Sequence, residues 1–227
     1  MHLQDLTRYL AELTENNNRP WFVMNKPRYD ILREEFLEMV TELIGQIAKF
    51  DPQILGCSPK KALFRINRDI RFSNDKSPYK TRFSAAIVAG DLKRPGLGGG
   101  PCYYFHMDAE GELLFAVGEY MPPPDRLKQI RNAIAADGSG LVKALKGKKL
   151  KERFGPLQEE DKLKRPPKGF DPDHPLIELI KLKHVMVWNQ VPLKQFKGAD
   201  RSEQVLKTLI SGFKDAYPLV CWLRSTR

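Results

Sequence analysis

Between Phe64 and Phe83 the chain reads FRINRDIRFSNDKSPYKTRF. Six cations (Arg65, Arg68, Arg71, Lys76, Lys80 and Arg82) share this run with only two acids, Asp69 and Asp75. Like charges held this close cost stability unless an anion, internal or external, answers them. Guanidinium forks match phosphate and carboxylate through paired hydrogen bonds, so the chemistry on offer is oxyanion binding. As a strand, the run places Phe64, Ile66, Ile70 and Phe72 on one face and Arg65, Asn67, Asp69 and Arg71 on the other. Arg68 falls on the apolar face, where a guanidinium needs a carboxylate or several carbonyls; otherwise the strand bulges at Arg68–Asp69. Asp69, two residues from Arg71 and four from Arg65, can hold one guanidinium while the others stay available. Ser73, Asn74 and Asp75 then turn the chain, and Pro78 forces Ser77 extended, so that Lys76, Tyr79 and Lys80 project beside the strand. The candidate ligand-binding residues are therefore Arg65, Arg68, Asp69, Arg71, Lys76, Tyr79 and Lys80.

Other chemistry is sparser. His106 alternates with Tyr104 in CYYFHMD, and Glu119 follows Gly118 in LLFAVGEY. With Asp69, these two are the acid–base candidates if the site is catalytic. A hydrogen-bonded structural histidine is the plainer reading of His106. Cys102 shares a face with His106 at a spacing of four but has no assigned base, and no Ser-His-Asp motif is visible. LGGGP lacks the Lys-Ser/Thr of a phosphate loop and reads as a turn. Asp171, Asp173, His174 and the distant His184 fit no zinc spacing, so neither a metal nor a cofactor is expected. In NNNRPWF, Arg19 and Trp21 sit in a turn. That Trp can stack a base or sugar, but packing under a helix end is favoured.

The 227 residues are 41% hydrophobic and 29% charged, an ordinary globular balance. No apolar run approaches a membrane span, and the start lacks a signal-peptide pattern. Cys57, Cys102 and Cys221 are odd in number and far apart, so thiols in a reducing cytoplasm are expected. The net charge of +10 is localised: residues 60–82 and 141–168 each carry +6, and the remainder sums to −2. Such segments suit an anionic partner such as nucleic acid, a phosphorylated small molecule or an acidic surface. For 141–168, solubility alone is an equal explanation.

The elements that must position these residues follow from periodicity. Leu3, Leu6, Leu10 and Leu13 predict a helix over about Leu3–Glu15, stopped by ENNNRP. A second helix spans about Arg28–Lys49, with Ile31, Leu32, Phe36, Met39, Val40, Leu43, Ile44 and Ile47 as its apolar stripe. LFRINRDIRF, FSAAIVAG, CYYFHMD and LLFAVGEY read as strands, the last two as a hairpin at Gly111. RPGLGGGP is a loop between strands, and PPPDRLKQIRNAIAA opens a helix. The segment 141–168 suggests a short helix, a loop and one strand. Asp173 or His174 caps a short helix with Pro175 in its first turn, HVMVWNQV is a strand, and Asp200 with Glu203 forms a capping box. Helices around a set of strands joined by short turns predict one α+β domain over 1–227, with a central, mainly antiparallel sheet flanked by helices.

RINRDIRFSNDKSPY fits the pattern R-x-x-R-D-x-R-F-x-x-x-K-x-P-Y. With ENNNRPWF, GEY and PPKGFDPDHP, it resembles a conserved hypothetical family, a domain of unknown function found in bacteria and fungi. The resemblance covers nearly the whole chain. It implies one family domain with Arg65, Arg68, Asp69, Arg71, Phe72, Lys76, Pro78 and Tyr79 as defining positions, and it transfers no activity.

Three readings of function remain. One is a pocket protein, enzyme or sensor, that binds a small phosphorylated or carboxylated ligand through residues 65–80. Another is a nucleic-acid-binding module using both basic segments, with Trp21, Phe72 and Tyr79 stacking bases. The third is a structural or partner-binding domain in which the arginine run is an internal ion-pair network.

Overall fold

The computed structural model describes residues 1–71, 73–90 and 100–226. The chain begins with helices α1 (Leu3–Glu15), α2 (Arg19–Met24), α3 (Lys26–Ala48) and the short α4 (Pro59–Ala62). Strands β1 (Arg82–Val88), β2 (Cys102–Asp108) and β3 (Glu112–Glu119) follow, then helices α5 (Pro124–Asp137), α6 (Ser139–Leu145), α7 (Lys148–Phe154) and α8 (Ile177–Ile180). Strand β4 (Val185–Pro192) and the long helix α9 (Arg201–Ser225) complete it. The four strands form one antiparallel sheet in the order β1-β2-β3-β4, flanked by helices, so the fold is α+β as the patterning predicts.

Alternation gives the sheet two unlike faces. Phe83, Ala85 and Ile87 of β1, Tyr103, Phe105 and Met107 of β2, and Leu113, Phe115 and Val117 of β3 are all buried. Helices α3 and α9 meet this inner face. Phe36 of α3 lies 5.3 Å from Phe105, and Phe213 of α9 lies 5.2 Å from Tyr103. Each such side chain contributes roughly 1.5–3 kcal/mol by leaving water. Gly212 lets α9 come close: a Cβ there would stand 2.6 Å from the Phe115 ring.

Two buried ion pairs tie the ends of this layer. Asp51, with no exposed surface, accepts from Tyr103 Oη at 2.8 Å and from Arg224 of α9 at 2.7 and 2.8 Å. Glu119 accepts from Arg126 Nη2 at 2.6 Å, while Arg126 also donates to the carbonyls of Leu223 and Thr226. A cation at those terminal carbonyls satisfies orphan acceptors of α9 and complements its dipole.

Several expectations need correction. Residues 64–71 form no strand. The run leaves α4 and doubles back on itself, with isolated bridges only at Leu63↔Ala85 and Asn67↔Tyr79. Pro78 lacks an N–H to extend that pairing, so alternation in the sequence finds no ladder to join. Phe64, expected on an apolar face, is 40% exposed. Ile31, expected in the α3 stripe, is exposed too. Pro20 does not merely end α1; it occupies the first turn of α2, whose N-cap Asn18 accepts from Trp21 N at 3.0 Å.

Residues 141–168 hold helical segments and no strand. The cap of α8 is Leu176, so Pro175 lies outside it and neither Asp173 nor His174 caps it. Asp200 and Glu203 form no capping box: Asp200 bonds Gln204 and Glu203 pairs with Lys207. Helix α9 absorbs YPLVCWL, with Pro218 inside it. Phe72 and most of RPGLGGGP lie outside the described residues. The three cysteines form no disulfide, and among the described residues no helix is long and apolar enough to cross a membrane.

Candidate functional site

The arginine run is a loop whose two limbs are pinned together. Arg68 N donates to Pro78 O at 2.9 Å and Lys80 N to Ile66 O at 2.8 Å. Asn17 clamps the Tyr79 backbone from both sides, at 2.9 and 3.0 Å, and the Tyr79 ring stacks on Phe22 with centroids 4.1 Å apart. Tyr79 is thus buried as an anchor. Arg68 donates to the Asp75 carboxylate and to the hydroxyls of Ser77 and Ser73. Arg71 grips both oxygens of Asp69, at 2.9 and 2.7 Å. The hydrogen bonds from Arg71 hold the Asp69 carboxyl down at about 2, and those from Arg68 do the same for Asp75. Lys76 Nζ donates to Ile70 O at 3.0 Å, and Lys80 Nζ donates to Arg65 O. Arg68 does meet the carboxylate that its position demanded, but in an exposed turn rather than under the sheet. Arg65 is exposed, and its guanidinium makes no hydrogen bond or ion pair among the described residues.

The two ends of the run, Phe64 and Arg82, border something else. The outer face of the sheet floors a cavity of about 580 Å³, within the range of small-molecule sites. Its described lining comes from strands and loops, with no helix. Pairing registers lay the floor out in rows. Cys102, Gly118 and Met186 make one row, Ala86, Tyr104, Ala116 and Trp188 the next, and Ser84, His106, Leu114 and Gln190 the third. At the far end Tyr120 stacks on His184 at 4.6 Å, and His184 Nδ1 accepts from Met121 N at 3.0 Å. Gly118, at φ +133°, permits β4 to pass: a Cβ there would stand 2.2 Å from the Val185 carbonyl oxygen. None of Arg65, Arg68, Arg71 or Lys76 lines this cavity.

Charge is graded along it. At one end Arg82 lines the wall and pairs with no carboxylate among the described residues. Lys80 Nζ lies 5.6 Å from the Phe64 ring centroid at the same rim. Burial, then the charges of Arg65 and Arg82, push the Lys80 pKa down. The ring of His106 is mostly buried, and burial followed by the Arg82 charge lowers its pKa to about 4. It is therefore neutral at pH 7, bonded through Nδ1 to Tyr104 Oη at 3.0 Å. The Tyr104 hydroxyl and His106 Nδ1 share this one hydrogen bond, and which of the two donates follows the tautomer of the ring. Nε2 stands 3.9 Å from Asp108, beyond a hydrogen bond. Arg82 and the neutral His106 ring line this end of the cavity, and a guanidinium there suits an acceptor-only group, whereas Lys80 lies outside the lining with its ammonium on the Arg65 carbonyl.

The remaining candidates are committed elsewhere. Glu119 borders the cavity, but its carboxylate is gripped by Arg126. Burial, then the charge of Glu119, raises the Cys102 thiol to about 12, so it is no nucleophile at neutral pH. Asp171 accepts from Asp173 N, and His174 Nδ1 accepts from Leu176 N, bonds of ordinary turns. Among the described residues no group of three or more His, Cys, Asp or Glu side chains gathers as a metal site. Trp21 packs against Tyr9, with centroids 5.6 Å apart. The reading from sequence counted Arg82 among the cations of the run but not among the ligand-binding candidates, and it passed over Ala116, Tyr120 and Trp188. Strand alternation carried a signal for the last three, but only the register shows that they share one hollow.

An α+β chain with one helix-packed sheet face and one hollow face is the class these features define. The chain belongs to the DUF2461 family of conserved hypothetical proteins, whose model matches residues 5–222. No curated protein and no solved structure matches it.

Proposed function

We propose that the protein binds a small anionic ligand in the sheet-face cavity, with a phosphate or carboxylate held at the Arg82 end. The observation that carries this reading is that Arg82 lines the cavity without a carboxylate partner among the described residues. Burial, then the charges of Arg65 and Arg82, lower the Lys80 pKa, and an incoming anion relieves that repulsion. The neutral His106 adds a hydrogen-bonding ring without adding charge. The cations of residues 68–76 are bonded within their own loop, outside the cavity lining. The nucleic-acid reading keeps the exposed lysines of α6 and α7 but loses two of its three stacking platforms, because Tyr79 and Trp21 are packed among other rings, while Phe72 lies outside the described residues.

The test is a titration of the protein with inorganic phosphate and with acetate, followed by NMR at the Arg82 Nε–H and the His106 ring. Saturable shifts at both residues, with a rise in the Lys80 pKa, are expected. Shifts that stay linear with anion concentration, or that appear at Arg71 and Lys76 instead, would contradict the proposed site.

A further inference from the structure

The middle of the cavity adds a demand on the ligand's body. In the row Tyr104–Ala116–Trp188, two aromatic side chains rise from β2 and β4 with only a methyl group between them. Strands two places apart are separated by roughly 10 Å. Aromatic rings favour centroid separations of about 4.5–7 Å. A flat ring placed over Ala116 therefore lies about 5 Å from each flanking strand, within reach of both aromatic side chains. A larger residue at 116 would fill that slot. Trp188 is 37% exposed, an unusual state for the largest apolar side chain, and it borders the cavity. The donor end at His106 and Arg82 lies one and two rows further along, and each row advances about 7 Å along the strands.

We infer that the ligand is a flat aromatic or heteroaromatic ring joined by a short spacer to a phosphate or carboxylate, with the ring seated between Tyr104 and Trp188. This rests on the anion reading above and deepens it. The far end, with Gln158, Glu160 and the Tyr120–His184 stack, would meet substituents on the ring's distal edge.

Four probes separate the two parts of the inference: adenosine 5′-monophosphate, phenyl phosphate, ribose 5-phosphate and adenosine, each followed by calorimetry and by tryptophan fluorescence. At least one ring-bearing phosphate should bind about tenfold or more tightly than ribose 5-phosphate, and should quench fluorescence. Trp188→Phe should abolish the quench while keeping affinity within a few-fold. Trp188→Ala should lose the tenfold advantage. Ala116→Leu should do the same, and Trp188→Ala at the exposed rim decides the matter if Ala116→Leu fails to fold. If ribose 5-phosphate binds as tightly as the ring-bearing phosphates, the ring slot is refuted and the anion site stands. If adenosine binds as well as its monophosphate and Arg82→Gln changes nothing, the anion site fails and the slot stands. If no probe binds, both fail.

Discussion

The arginine loop and the hollow face of the sheet hold comparable chemistry and spend it differently. In the loop, Arg68 is answered by Asp75 and two serines, Arg71 by Asp69, and Lys76 and Lys80 by backbone carbonyls. Charge is dense there, yet little of it is available to a ligand. At the cavity rim, Arg82 has no carboxylate partner among the described residues, and His106 points an unbonded nitrogen beside Asp108. The comparison teaches that charge counted along a sequence is not charge on offer. A binding site needs groups that are oriented and unanswered, and here these lie at the end of the run rather than in its middle.

Arg126→Ala leaves Glu119 buried and unpaired beside the cavity, and strips the last carbonyls of α9. It should cost about 3–5 kcal/mol, read by chemical denaturation. A loss under 1 kcal/mol would mean that this wall of the cavity is not held as described.

The pH dependence of stability tests the His106 environment. Its folded pKa of about 4 lies below the ordinary value of about 6.5. Near pH 7 both states carry a neutral ring. As pH falls below about 6.5 the unfolded state binds the proton first, so stability declines and the decline levels off near pH 4. It should amount to at most about 3 kcal/mol. His106→Gln should flatten that part of the profile, and an unchanged slope would count against the buried, neutral ring.

Arg82→Gln should weaken phosphate binding roughly tenfold, since one charge-assisted contact is worth about 1.5–3 kcal/mol when desolvated and less at a wet rim. Its Tm should stay within a degree or two of the parent. Arg68→Ala should lie at the other extreme. It opens an exposed turn, lowers Tm by a few degrees, and leaves phosphate affinity unaltered. A large loss of binding in Arg68→Ala would merge the two regions that the structure keeps apart.

Much of the fold was legible because periodicity is a direct imprint of burial. Leu3, Leu6, Leu10 and Leu13 marked α1, and the alternation in CYYFHMD and LLFAVGEY with Gly111 marked the hairpin. The arginine run misled for the same reason. Arg-Ile-Asn-Arg-Asp-Ile alternates well enough to mimic a strand, but a strand also needs a neighbour, and the run finds only itself across one bridge. Asp69 holding one guanidinium was legible, because that bond spans two residues. The hollow face was not, because Tyr104 and Trp188 become neighbours across Ala116 only through the pairing of β3 with β4. Those strands are separated by α5, α6, α7 and α8. A capping box was expected at Asp200 because residue types alone permit it, while the Asp200 carboxylate accepts from the Gln204 side chain instead.

The most direct test of the central claim is phosphate binding measured by calorimetry on the parent protein, Arg82→Gln and Arg68→Gln under one set of salt conditions. The account predicts that Arg82→Gln loses about tenfold in affinity and Arg68→Gln almost none. Equal losses in both variants, or a loss confined to Arg68→Gln, would return the anion site to the arginine loop and contradict it.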